Sequence, residues 1–190
     1  MSSYSWKLTY FGPYEITSQV FYSTLHSYCL VNIKPLLPGH VLVVSNRIVP
    51  RFTDLNANEV TDLYMTVQKV QRMLAKVYFK DPESEKGGFG GKLEDGAFNV
   101  AMQDGVSAGQ TVPHVHVHII PRPKDSPQND QIYDRMESEE GNVGGALWDR
   151  SRPVNQGKFA KPEESERKNR TEEEMVKEAN FFREQMELVD

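Results

Sequence analysis

Cysteine is nearly absent. Cys29 is the one thiol in 190 residues, which excludes an intramolecular disulfide and a cysteine-rich zinc module. It lies in an apolar pattern and reads as core. No apolar run approaches the roughly 18 residues that a membrane-spanning helix needs. The N-terminal stretch MSSYSWKLTYFG lacks a basic head followed by an apolar run, so no secretory signal is expected. A reducing location follows as the expectation: the cytoplasm, with the nucleus as a second site. Positive charge is also short, with 22 Lys and Arg against 27 Asp and Glu and a net charge of -5. That balance argues against broad electrostatic binding to nucleic acid. The partner it leaves room for is a small anion held locally. A hydrophobic content of 38% and a mean hydropathy of -0.59 fit a soluble chain carrying polar segments.

Histidine, by contrast, is concentrated. Three of the five lie in HVHVHIIPR, residues 114–122. In an extended strand successive side chains alternate faces, so His114, His116 and His118 would share one face and Val115, Val117 and Ile119 the other. Proline donates no ladder hydrogen bond, so Pro121 is expected to end the strand and leave the histidines near its end, facing outward. Three imidazoles can form a catalytic zinc shell. Alternate positions on one strand lie roughly 6.5 to 7 Å apart, however, which suits two ligands better than three. The other use of such a row is stepwise: one imidazole attacks while its neighbours orient it and neutralise the group attacked.

The rest of the chain can be organised around that strand. Residues 20–33 are rich in β-branched and aromatic side chains and read as one strand, bent midway, with His26 an ordinary surface histidine within it. Pro35, Pro38 and Gly39 make a turn before the run HVLVV at His40, a histidine that residue-level reading leaves structural. Asn56 and Glu59 form a capping-box variant, after which Val60, Leu63, Val67, Val70, Leu74 and Val77 mark a helix with one apolar stripe. Residues 80–96 are glycine-rich, but a phosphate-binding loop fails twice. Its first glycine would fall at Lys86, and Lys92 is followed by Leu93. Residues 97–103 alternate, with Phe98, Val100 and Met102 on one face. If that face packs alongside Val115 and Val117, Gln103 arrives on the histidine face. Residues 105–112 are small, and their amides could approach a phosphate closely. Residues 137–170 are polar, with Trp148 and Phe159 as the only candidate anchors. Thr171 and Glu174 form a second capping box, and Met175, Ala179, Phe182 and Met186 give the last helix an apolar edge. The pattern is α+β: about five antiparallel strands with two helices. Domain organisation follows as residues 1–136 with the 80–96 loop inserted, a polar insertion over 137–170, and a returning helix over 171–190.

HVHVHII fits the alternating histidine and apolar pattern of the histidine triad superfamily of nucleotide hydrolases and transferases. MQDG at 102–105, AGQTV at 108–112, VNIKPLLPGHVLV at 31–43 and NDQIY at 129–133 resemble its fragile histidine triad branch, the dinucleoside polyphosphate hydrolases. The likeness runs from about residue 11 to 133 and returns in the last helix. It departs at the 80–96 loop and at the 137–170 insertion. The resemblance implies His116 as nucleophile, His118 as a contact to a non-bridging phosphate oxygen, and His114 and His40 as positioning groups. It further implies that Asn32 binds the nucleoside, that Gln103 orients the bridging oxygen or water, and that Gly109, Gln110, Thr111 and Val112 line the phosphates.

The activity so implied is hydrolysis of dinucleoside 5′,5′-polyphosphates, diadenosine triphosphate giving AMP and ADP through a nucleotidyl-histidine. A homodimer and no tightly bound cofactor are implied too, with Mg2+ or Mn2+ riding on the phosphates. Purine nucleoside phosphoramidase and a slow-turnover nucleotide-binding signalling module are the alternatives. DNA deadenylation would need a basic surface or zinc module that the sequence lacks. Related nucleotidyl transferases carry glutamine at the position of His118, so the histidine there favours water as acceptor.

Overall fold

A computed structural model describes residues 8–81, 90–124 and 169–189. Residues 137–168 of the insertion, with Trp148 and Phe159, residues 82–89 of the glycine-rich loop and the NDQIY stretch lie outside the described residues. Among those described, a hairpin of two short strands, β1 (Tyr10–Phe11) and β2 (Tyr14–Glu15), precedes a five-stranded antiparallel sheet. Its strands are β3 (Val20–Ser23), β4 (Ser27–Val31), β5 (Val41–Ser45), β6 (Gly96–Ala101) and β7 (His116–Pro123). They lie in the order β3-β4-β5-β7-β6. Helix α1 (Ala57–Tyr78) connects β5 to β6, and α2 (Glu172–Met186) closes the described chain.

Both helices begin at the capping boxes read from the sequence. Asn56 Oδ1 accepts from the amides of Asn58 and Glu59, and Glu59 answers on the Asn56 amide. Thr171 and Glu174 do the same for α2. The apolar faces of both helices pack on one side of the sheet, where Leu63, Val67, Val70 and Leu74 meet Cys29, Val31, Val41, Val43, Val117 and Ile119. Met175, Ala179, Phe182 and Met186 join the same core. Val60 and Val77, at the ends of the α1 stripe, are only partly buried. A second, smaller apolar cluster on the opposite side joins Phe11 and Ile16 to Tyr28, Leu30, Leu42, Val44 and Val112.

Three strand expectations need correction. Residues 20–33 form not one bent strand but a hairpin, β3 against β4. The reversal at 24–26 has no glycine or proline to announce it. It is closed by the Thr24 amide on the Ser27 carbonyl and by Thr24 Oγ1 accepting from the Ser27 amide. Second, β7 continues through Pro121 to Pro123. Strand β5 begins opposite Ile119, so beyond that point β7 has a partner only in β6. A proline's missing donor is tolerated where one side of the strand is open. Third, the ladder starts at His116, and His114 precedes it in a turn that its own amide closes on the Val112 carbonyl at 2.7 Å.

Candidate active site

Register places the polar groups. Leu42 pairs with His118 and Val44 with His116, so these histidines share a face with His40, two residues before Leu42. Val31 pairs with Val41, and one further step sets Asn32 beside His40. On the other side Ala101 pairs with His118, and two further steps set Gln103 across from His116. The row runs from β4 to β6 over four strands: Asn32, His40, His118 and His116, Gln103. The expectation that the histidines face outward fails. His114, His116 and His118 are 0%, 2% and 3% exposed, because the β1–β2 hairpin covers this end of the face. The Phe11 ring lies 5.1 Å from that of His116, edge to face, and 5.6 Å from that of His114.

Burial dominates the electrostatics. It holds His114 down at about 4, with the Ser45 carbonyl working in the opposite direction. It lowers His116, offset in part by the hydrogen bond to the His114 carbonyl. It drives His118 well below the ordinary value, and the neighbouring His116 and His40 add to the effect. All three rings are therefore neutral near pH 7, and each carries one ring proton.

Hydrogen bonds decide which nitrogen holds that proton. The Gly12 amide donates to His114 Nδ1 at 3.1 Å, so His114 Nε2 carries the proton and donates to the Ser45 carbonyl at 2.6 Å. His116 Nδ1 donates to the His114 carbonyl at 2.7 Å, which leaves the Nε2 lone pair as the nucleophilic position. The Leu36 amide donates to His40 Nδ1 at 3.1 Å, so His40 Nε2 donates to His118 Nδ1 at 3.0 Å. The proton of His118 then sits on Nε2, a buried atom that has no hydrogen-bond partner among the described residues. A lone pair on His116 and a donor on His118 are thus presented side by side, with ring centroids 5.1 Å apart.

Other predicted residues fall as follows. Asn32 Oδ1 accepts from the Lys34 amide at 2.9 Å, which turns its Nδ2 to within 3.3 Å of both His40 ring nitrogens. Gly109 has a φ of +87 and sits so close to Gln103 that a Cβ there would meet Gln103 Nε2 at 2.8 Å. Gln110 turns its amide nitrogen to the Pro50 carbonyl at 2.9 Å, and Val112 packs in the smaller apolar cluster. Thr111 lies between them, half-buried. Sequence reasoning missed Phe11, Gly12, Ser45 and Leu36, whose contributions are a ring or a backbone group. It also missed Arg47, whose guanidinium grips both Glu59 oxygens at 2.8 and 2.7 Å and, with the Asn56 amide, holds that carboxyl at about 2.

A groove of about 620 Å³ lies elsewhere, lined by Glu15, Ser18, Glu172, Met175 and Arg183. Its arginine is committed to the carbonyls of Ser18 and Val20, so the histidine face and not this groove holds the chemistry. Among the described residues no group of three or more His, Cys, Asp or Glu is arranged to hold a metal ion. Ligation of zinc by His114 Nδ1 would have to displace the Gly12 amide that already occupies its lone pair.

An antiparallel five-stranded sheet with two helices on one side and this histidine row on the other defines a histidine triad protein. Residues 14–125 match the family described as "HIT domain", and the chain belongs to that family. Within it the chain falls in the fragile histidine triad branch. A Schizosaccharomyces pombe protein named bis(5′-nucleosyl)-tetraphosphatase [asymmetrical] is 44% identical over 185 residues, 93% of each chain. The Arabidopsis thaliana bifunctional bis(5′-adenosyl)-triphosphatase/adenylylsulfatase FHIT is 48% identical over 136 residues, 68% of this chain and 65% of its own. Among solved structures, the Plasmodium falciparum diadenosine triphosphate hydrolase superposes with a TM-score of 0.63 at 26% identity, covering 99% of this chain and 90% of that one. The Caenorhabditis elegans NitFhit protein superposes with a TM-score of 0.61 at 31% identity, and this chain spans 31% of it.

Proposed function

We propose that the protein hydrolyses dinucleoside 5′,5′-polyphosphates, with diadenosine triphosphate giving AMP and ADP. The observation that carries this reading is the pair of oppositely prepared nitrogens, a lone pair on His116 Nε2 beside a buried donor on His118 Nε2. The named activities of the relatives support the substrate class.

His116 Nε2 attacks the α-phosphorus and forms a P–N bond. The P–O bond to the bridging oxygen breaks, and ADP leaves with the electron pair. The ring becomes cationic, and the Nδ1–H bond to the His114 carbonyl stabilises that charge. His118 donates to a non-bridging oxygen as its charge grows. Water then attacks the same phosphorus and gives up a proton to solvent, the P–N bond breaks, and AMP departs with the water oxygen while His116 recovers its lone pair. Asn32 binds the nucleoside, His114 and His40 hold the two reacting rings, and Gln103 orients the bridging oxygen or the water. Gly109, Gln110, Thr111 and Val112 form the wall beside the phosphates. Mg2+ or Mn2+ enters as a partner of the phosphates, and no tightly held cofactor takes part.

Incubation in ¹⁸O-water should yield AMP and ADP with the label in AMP alone, and added inorganic phosphate should not divert the nucleotide. Restoring Mg2+ after chelation should help in proportion to substrate. Transfer of most nucleotide to the added phosphate would make the protein a transferase instead. The S. pombe relative favours a second substrate, diadenosine tetraphosphate giving AMP and ATP, since attack at the α-phosphorus releases AMP whatever the chain length.

We also read the protein as a homodimer. Strand β6 is an edge of the sheet, and its Val100, across from Ile119, is 42% exposed. An apolar edge of that kind invites pairing with a second copy.

A further inference from the structure

The five strands of the sheet contain one permanently charged side chain among their described residues, Arg122. Its position is not neutral. Residues 116, 118, 120 and 122 alternate with the core-facing Val117 and Ile119, so Arg122 shares the histidine face, about 13 Å along the strand from His118 at about 3.3 Å per residue. Its Nη1 donates to Asn99 Oδ1 at 2.9 Å. Asn99 pairs with Ile120, halfway between Arg122 and His118, so the guanidinium is drawn back toward the histidines. Its Nε is buried and has no hydrogen-bond partner among the described residues. A guanidinium with an unsatisfied buried donor is costly unless an acceptor arrives.

The reaction has such an acceptor to place. Each phosphate of the bridge carries negative charge, and the buried imidazoles that meet it are neutral. His116 supplies a lone pair and His118 a donor, and neither supplies compensating charge. Asn32 and His40 lie on the β4–β5 side of the histidine strand, whereas Arg122 lies on that strand itself, beyond His118, with Asn99 beside it on β6. A nucleoside held on the first side leaves the Asn99–Arg122 side for the remaining phosphates.

We propose that Arg122, oriented by Asn99, binds the departing polyphosphate, beyond the phosphate that His116 attacks. The assignment rests on the hydrolase reading above. Arginine suits the task because its planar fork meets phosphate oxygens bidentately while one nitrogen stays on Asn99.

The test compares Arg122→Gln and Arg122→Lys with wild type on two substrates. One is diadenosine triphosphate, and the other is adenosine 5′-(4-nitrophenyl phosphate), whose leaving group has no phosphate. Arg122→Gln should lose about tenfold or more in kcat/KM on the first, about 1.4 kcal/mol, and little on the second. Arg122→Lys should fall between, since it keeps the charge and loses the fork. Titration calorimetry supplies a second arm: Arg122→Gln should weaken ADP by about tenfold and leave AMP unchanged. Equal losses on both substrates, or on ADP and AMP alike, would overturn the assignment. If wild type turned over neither substrate, the hydrolase reading would fail, and the ADP-against-AMP comparison would still decide the role of Arg122.

Discussion

Burial lowers the proton affinity of His114, His116 and His118 together, and the hydrogen bonds then decide where the remaining proton sits on each ring. Attack requires the lone pair on His116 Nε2, which protonation removes. The group's folded value lies below its ordinary 6.5, so the neutral form persists as pH falls through 6.5 and is lost only at lower pH. The profile of kcat/KM should therefore stay flat through pH 6.5, with its acid limb below that value. A limb at or above 6.5 would contradict the buried, neutral nucleophile. The same sign governs stability. An unfolded chain takes up protons on these histidines from about 6.5 downward, so folding loses stability as pH falls through that window, by up to about 1.4 kcal/mol per pH unit for each ring. For His114 the loss levels off near 4. At this scale His114, His116 and His118 were legible in the sequence, because alternation with valine singled them out. The tautomers were not, since they depend on carbonyls and amides that every residue carries.

Among the elements, the β1–β2 hairpin carries the least sequence signal for its role. Its strands are two residues each, and Gly12-Pro13 reads only as a break. Yet Gly12 reaches His114 across 102 positions and fixes the proton of that ring on the side of Ser45. Gly12 has a φ of +57, and a Cβ there would meet Val112 Cγ1 at 2.6 Å. The left-handed backbone alone costs a substituted residue about 1–2 kcal/mol. Gly12→Ala should therefore lower Tm by several degrees, at roughly 2–4 °C per kcal/mol for a chain of this size. It should also cut turnover beyond that stability loss, because His114 loses its pin. Unchanged Tm and turnover would show that the hairpin does not hold the site. The starts of both helices, by contrast, were legible to the residue, since a capping box is a local signal, and the 3.6-residue stripe marked their buried faces. The β3–β4 turn and the extension of β7 past Pro121 were not, because one rests on Thr24 side-chain bonding and the other on which neighbours a strand has.

At the level of the whole molecule, the helices cover one side of the sheet and leave β6 as an edge. Sedimentation equilibrium should give twice the chain mass for wild type, and Val100→Asp should shift it toward monomer. A monomeric wild type at micromolar concentration would contradict the dimer. Fold class was legible because apolar alternation and helix caps recur along the chain. What covers the histidines was not, because the covering hairpin and the triad are joined only in three dimensions. The central claim remains chemical, that His116 Nε2 forms a bond to phosphorus. Mixing enzyme with adenine-labelled diadenosine triphosphate and quenching within one turnover should trap acid-labile label on wild type and none on His116→Ala. Equal labelling of the variant, or none on wild type during measurable turnover, would contradict it.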